Sequence, residues 1–135
     1  MDDEMNVSMN CTSDELLVLC GSLLESEELL YGRSPDVWVA TILMTSEDCD
    51  TLFDFLKDVS RTRKESDYPT TVSLPLKKWR GIFHAIRFVS NRNNGIWDEL
   101  DSRTGYSVER FDAFAERLES ALAGVDAETQ PEVSK

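Results

Sequence analysis

A single histidine, His84, serves the whole 135-residue chain, and its three cysteines, Cys11, Cys20 and Cys49, form no close-spaced pair and no ligand cluster. That shortage excludes the usual zinc ligand patterns. An odd number of cysteines at unrelated spacings suits a reducing compartment better than a disulfide framework, so free thiols are expected. The six glycines are scattered singly, and no Gly-x-Ser-x-Gly, Walker loop or glycine fingerprint is present. Nothing marks phosphate cradling or nucleophilic catalysis, and no metal or cofactor is expected. His84, between Phe83 and Ala85, sits on the flank of an apolar stripe and reads as a surface or packing histidine rather than a base. No apolar run approaches the roughly 18 residues that span a bilayer, and Met1-Asp2-Asp3-Glu4 is acidic where a secretory signal would be basic. The expectation is a soluble, cytoplasmic, non-catalytic protein without a membrane segment.

What the chain has is acid, unevenly placed. It carries 26 Asp and Glu against 14 Lys and Arg, a formal charge of −12. Residues 1 to 56 hold 13 acidic groups and only Arg33, so that stretch alone carries −12. Residues 57 to 95 carry +6 and residues 96 to 135 carry −6. Segments of opposite sign in one domain can mark a partner surface or lie side by side and neutralise one another.

Apolar residues recur three and four apart in four stretches, the mark of amphipathic helices. The first runs from Ser13 to Leu30 with Leu16, Leu19, Cys20 and Leu23 on one face, and Thr12 and Glu15 are spaced as a capping box. The second covers residues 46 to 60, with Cys49, Leu52, Phe53, Leu56 and Val59 in register behind Thr45. The third covers residues 76 to 90, opened by Pro75, with Trp79, Ile82, Phe83, Ile86 and Val89 on one side. The fourth follows Ser107 and carries Phe111, Phe114, Ala115, Leu118 and Leu122, with Gly124 as its stop. Residues 35 to 44 read as a short helix because Ser34-Pro35-Asp36 is a good helix start. The β-branched run from Val37 to Leu43 leaves a strand open there. Asn94-Gly95 marks a turn before a short helix over residues 96 to 102, and Thr70-Thr71-Val72-Ser73 has extended character.

An internal duplication runs through these positions. Leu16, Leu19, Cys20 and Leu23 match Trp79, Ile82, Phe83 and Ile86 at a shift of 63, and Cys49, Leu52 and Leu56 match Phe111, Phe114 and Leu118 at a shift of 62, with Trp38 and Trp97 in the intervening short segments. The predicted fold is mainly α, a small bundle of about six helices, built from two pseudo-symmetric three-helix halves if the repeat is real. A short strand at residues 37–43 or 70–73 stays open. The predicted organisation is one domain over residues 12–124, with halves 12–60 and 75–124 and a linker at 61–74. Polar residues 1–11 and 125–135 read as mobile tails.

The leading expectation of function is a binding or inhibitor protein of the immunity or antitoxin kind. Its acidic first half, through Glu25, Glu27, Glu28, Asp36, Glu47, Asp48, Asp50 and Asp54, would meet a basic protein partner. Nucleic acid is the less favoured partner, with Lys77, Lys78, Arg80, Arg87 and Arg92 around Trp79 as its contacts. Trp79 shares a face with Ile82, Phe83 and Ile86, which argues for the core instead. The alternative is a helix-turn-helix regulator using residues 96–122, where Leu100, Gly105, Phe111 and Phe114 fall near that motif's positions. Its recognition helix would present net −2 to phosphate.

Overall fold

The computed structural model describes residues 5–91 and 99–129. The elements run β1 (Asn6–Cys11), α1 (Ser13–Leu30), α2 (Pro35–Ile42), α3 (Ser46–Thr62), β2 (Thr70–Pro75), α4 (Leu76–Val89), α5 (Leu100–Thr104) and α6 (Val108–Thr129). A 3-10 turn at Glu65–Asp67 precedes β2. The protein is mainly helical with one two-stranded antiparallel sheet, the small bundle that the periodicity predicts.

Helix starts obey local chemistry. Thr12 accepts the Glu15 N–H at 3.1 Å while the Glu15 carboxylate accepts the Thr12 N–H at 2.9 Å, a complete capping box. Thr45 accepts the Asp48 N–H, and Ser34 accepts the Val37 N–H. At residues 35–42 the helix prevails over the β-branched run, and Trp38 and Ile42, one turn apart, form its buried side. Gly105 ends α5 with φ 85°, a left-handed conformation that glycine adopts without penalty.

Three sequence expectations need correction. The supposed tail at residues 1–11 contains β1: Met9 and Cys11 turn into the core while Asn6, Ser8 and Asn10 face water. Residues 1–4 lie outside the described residues. The supposed linker at 61–74 holds the end of α3, the 3-10 turn and most of β2, whose Thr70, Val72 and Leu74 are buried. The supposed tail from residue 125 begins as helix, because α6 continues through Gly124 to Thr129. A helical glycine costs only about 1 kcal/mol relative to alanine, less than the rest of the helix supplies. Asn94-Gly95, Trp97 and residues 130–135 lie outside the described residues, and the short helix that is described begins at Leu100.

The order strand, long helix, short helix, long helix occurs twice. At the shift of 63, Leu16, Leu19 and Leu23 correspond to Trp79, Ile82 and Ile86, all fully buried. The same shift carries Met9 onto Val72, and these two residues are direct partners across the ladder. A local two-fold relation between the strands therefore passes between them. At the shift of 62, Cys49, Leu52 and Leu56 correspond to Phe111, Phe114 and Leu118, again all buried. α1 packs on α4 at the centre, α3 covers α1, and α6 covers α4. The two halves are stitched by the sheet and by the Trp79 indole, whose N–H donates to the Val7 carbonyl at 2.8 Å.

Candidate functional site

The eight carboxylates expected to meet a partner divide into three groups. Glu25 and Glu28 are occupied within the molecule. Arg103 of α5 donates from Nε to Glu25 at 2.6 Å and from Nη2 to Glu28 at 2.5 Å, and Glu99 lies 3.6 Å away on the same side chain. The Glu25 side chain is buried and anchors α5 through Arg103. The hydrogen bond to Glu25 and the surrounding carboxylates hold the Arg103 pKa above its ordinary value.

Asp36, Glu47 and Asp48 form the second group. They lie in the first turns of α2 and α3, where carboxylates suit the helix dipole, and all are exposed. Asp48 faces Lys78 of α4 at 3.9 Å, a loose surface pair.

Glu27, Asp50 and Asp54 form the third group, and here α1 and α3 place carboxyl groups against each other. The helices are held close by buried contacts that include the Cys49 thiol on the Leu23 carbonyl at 3.7 Å. The Asp50 carboxyl stands where it can hydrogen-bond a protonated Glu27. That bond is the largest cause of a Glu27 pKa raised from 4.5 to about 7; partial burial and the charges of Asp50, Asp54 and Glu28 add to it. Among the described residues no ion pair reaches Glu27, Asp50 or Asp54. Lys57, the nearest cation along α3, lies over the Phe53 ring at 5.5 Å from its centroid.

Two cations of the basic segment are engaged within the fold. Lys78 faces Asp48, and Arg87 pairs with Asp112 of α6 at 3.2 Å while lying over Phe83. Lys77 is exposed and Arg80 half-buried. Arg92 lies outside the described residues. Trp79 is fully buried, so its indole does not face outward for base stacking. In the region considered for helix-turn-helix, α5 has five residues, and Leu100, Phe111 and Phe114 are core. Both arginines of α6 turn back onto the first half: Arg110 onto Asp14, and Arg117 onto Glu15 at 2.9 Å and the Asn10 carbonyl.

Sequence reasoning missed Arg103 as the clamp on Glu25, and it missed Phe55, which stands 45% exposed outside the apolar stripe of α3. The three thiols are buried and unpaired. Burial pushes Cys11 and Cys20 up to about 11 and Cys49 up to about 12. Among the described residues no three His, Cys, Asp or Glu side chains group so as to hold a metal ion, and no helix is long and apolar enough to cross a membrane. No protein-family model, curated protein or solved structure matches the chain.

Proposed function

We propose that this protein is a non-catalytic binding protein, an inhibitor of the immunity or antitoxin kind, that captures a basic protein through the outer face of α1 and α3. The observation that carries this reading is that Glu27, Asp50 and Asp54, on the packed helices α1 and α3, are met by no ion pair among the described residues. The chain has cations enough to neutralise these groups, yet Arg103, Arg87, Arg110 and Arg117 are directed elsewhere. A surface that keeps like charges adjacent sustains a field that steers a basic partner and raises its association rate. A Lys or Arg of the partner entering between Glu27 and Asp50 would take the place of a proton on Glu27 and relieve the repulsion. Exposed Leu24 beside them, at 41% exposure, offers apolar area at the same place.

The helix-turn-helix alternative has less support. With Arg110 and Arg117 engaged on the first half, Glu109, Glu116 and Glu119 dominate the exposed side of α6 and would repel phosphate.

The test is capture from a lysate of the native organism by the tagged protein and by a Glu27→Lys, Asp50→Lys, Asp54→Lys variant, each with and without nuclease. The expected result is a basic protein held by the native chain after nuclease treatment and lost by the variant, with circular dichroism unchanged. Equal capture by the variant overturns the reading, and capture that nuclease abolishes moves the partner to nucleic acid.

A further inference from the structure

The internal repeat builds the same groove twice, and the two copies have diverged. The first lies between the start of α1 and the face of α6, with a cavity of about 330 Å³. The second lies between β2, the start of α4 and the face of α3, with a cavity of about 340 Å³. Their linings correspond at the offsets of the repeat: Thr12 with Pro75, Glu15 with Lys78, Arg110 with Asp48, Ala113 with Thr51, Phe114 with Leu52, and Arg117 with Phe55.

In the first groove the chain supplies its own occupant. Arg117 lies 5.8 Å from the Phe114 ring centroid, pairs with Glu15 at 2.9 Å, and donates to the Asn10 carbonyl at 2.6 Å. This clasp spans from α6 to α1 and β1 and lays charge across the groove. In the second groove Phe55 stands where Arg117 would be. A phenyl ring cannot form the ionic bridge that Arg117 makes, and Lys78 stands where Glu15 stands in the first groove. Phe55 is left 45% exposed beside Leu52, Leu74 and Pro75. Lys78, the one cation of this lining, is turned to Asp48.

Beside the second groove, α3 presents three carboxylates and, at its end, Arg61. Glu47, Asp54 and Asp58 recur seven and four residues apart, which aligns them along one side of α3 next to the Thr51–Phe55 face. All three are exposed, and among the described residues no ion pair reaches them. An apolar floor with a carboxylate rail on one side is complementary to a peptide that carries a large apolar side chain flanked by cations.

We propose that the groove between α3 and β2–α4 seats a basic segment of the protein partner, an apolar side chain resting on Leu52, Leu74, Pro75 and Phe55 and its neighbouring Lys or Arg groups meeting Glu47, Asp54 and Asp58. This rests on the reading of the protein as a binder of a basic partner and adds where the anchor of that partner enters. The sister groove supplies an internal precedent for a cationic side chain laid over an apolar floor, with Arg117 over Phe114.

The experiment titrates the full ¹⁵N-labelled chain with three synthetic peptides of one length: leucine-anchored with flanking arginines, the same with alanine for leucine, and the same with glutamine for arginine. The first is expected to shift the amide signals of Thr51, Phe55, Ser73 and Leu74, and the other two to bind at least about tenfold more weakly. Phe55→Asp should weaken the first peptide by about tenfold or more. A second variant, Phe55→Arg with Lys78→Glu, rebuilds the clasp of the sister groove and should block the peptide while leaving the melting curve cooperative. If the alanine peptide binds equally well and shifts Glu27 and Asp50 instead, the groove proposal falls while the acidic-face reading stands. Equal binding by the glutamine peptide overturns the basic character of the occupant. If none binds at low salt, both readings fall together.

Discussion

Gly81 and Gly124 lie in helices and carry opposite expectations. A Cβ at Gly81 would come 2.4 Å from the Met44 methyl and 3.0 Å from the Ile42 carbonyl oxygen, so α4 approaches the end of α2 through the missing side chain. Met44 is buried and the carbonyl is backbone, so neither yields freely. Overpacking costs about 1–3 kcal/mol and the gain in helix propensity is at most about 1 kcal/mol. Gly81→Ala should therefore destabilise by about 1 kcal/mol, measured as a lower urea midpoint with an unchanged slope. Gly124 has nothing within 4 Å of its added Cβ, and Gly124→Ala should stabilise by up to about 1 kcal/mol. The cysteines give a further residue-level expectation. With pKa values pushed to about 11, 11 and 12 by burial, Cys11, Cys20 and Cys49 should resist alkylation at pH 8 in the native protein and react once it is denatured. Mass spectrometry counts the adducts.

Among the elements, β1 and α5 depend on partners distant in sequence. Removing residues 1–11 would be harmless were they a tail. As β1 they bury Met9 and Cys11 and accept the Trp79 indole N–H. Each fully buried apolar side chain contributes about 1.5–3 kcal/mol, so the deletion should cost about 4 kcal/mol or more and abolish cooperative unfolding. α5 is held by Arg103, and Arg103→Met should lower the melting temperature by stranding the buried Glu25 carboxylate. Adding Glu25→Gln to that variant should recover part of the loss, because the stranded charge is then gone. The long helices were legible in sequence because their apolar spacing and caps are local signals. α1 occupies the residues that Thr12, Glu15 and the Leu16–Leu23 stripe specify. β1 carried a legible signal too, the alternation of Val7, Met9 and Cys11 with polar residues, but six residues without a neighbouring partner read as a tail. Of the expected site, the exposed acids on α2 and α3 were legible as surface. The pairing of Glu25 with Arg103, 78 residues away, was not, since no local spacing encodes a tertiary ion pair.

For the molecule as a whole, charge governs the response to conditions. Glu27 has a native pKa of about 7 against 4.5 ordinarily, so between these values the folded state holds more protons than the unfolded one. Its contribution to stability is therefore full below about pH 4.5 and is lost as pH rises through about 7. Asp50, Asp54 and Glu28 face it with like charge, and Lys57 on α3 is turned to Phe53. The melting temperature should fall across that window, and Glu27→Gln should flatten the fall. Near neutral pH, added salt should raise the melting temperature by screening the carboxylates. A flat response would mean that the basic segment already neutralises them. The sheet adds a condition of a different kind, one of time. Ser8 meets Ser73, 65 positions further along the chain, so β1 leaves the ribosome long before its partner strand exists. Until β2 and α4 emerge, the apolar faces of β1 and α1 have nothing to pack against, and growing chains on neighbouring ribosomes could join through them. Residues 1 to 56, made before β2 and α4, are also the stretch that carries −12. Mutual repulsion of that charge opposes association between unfinished copies.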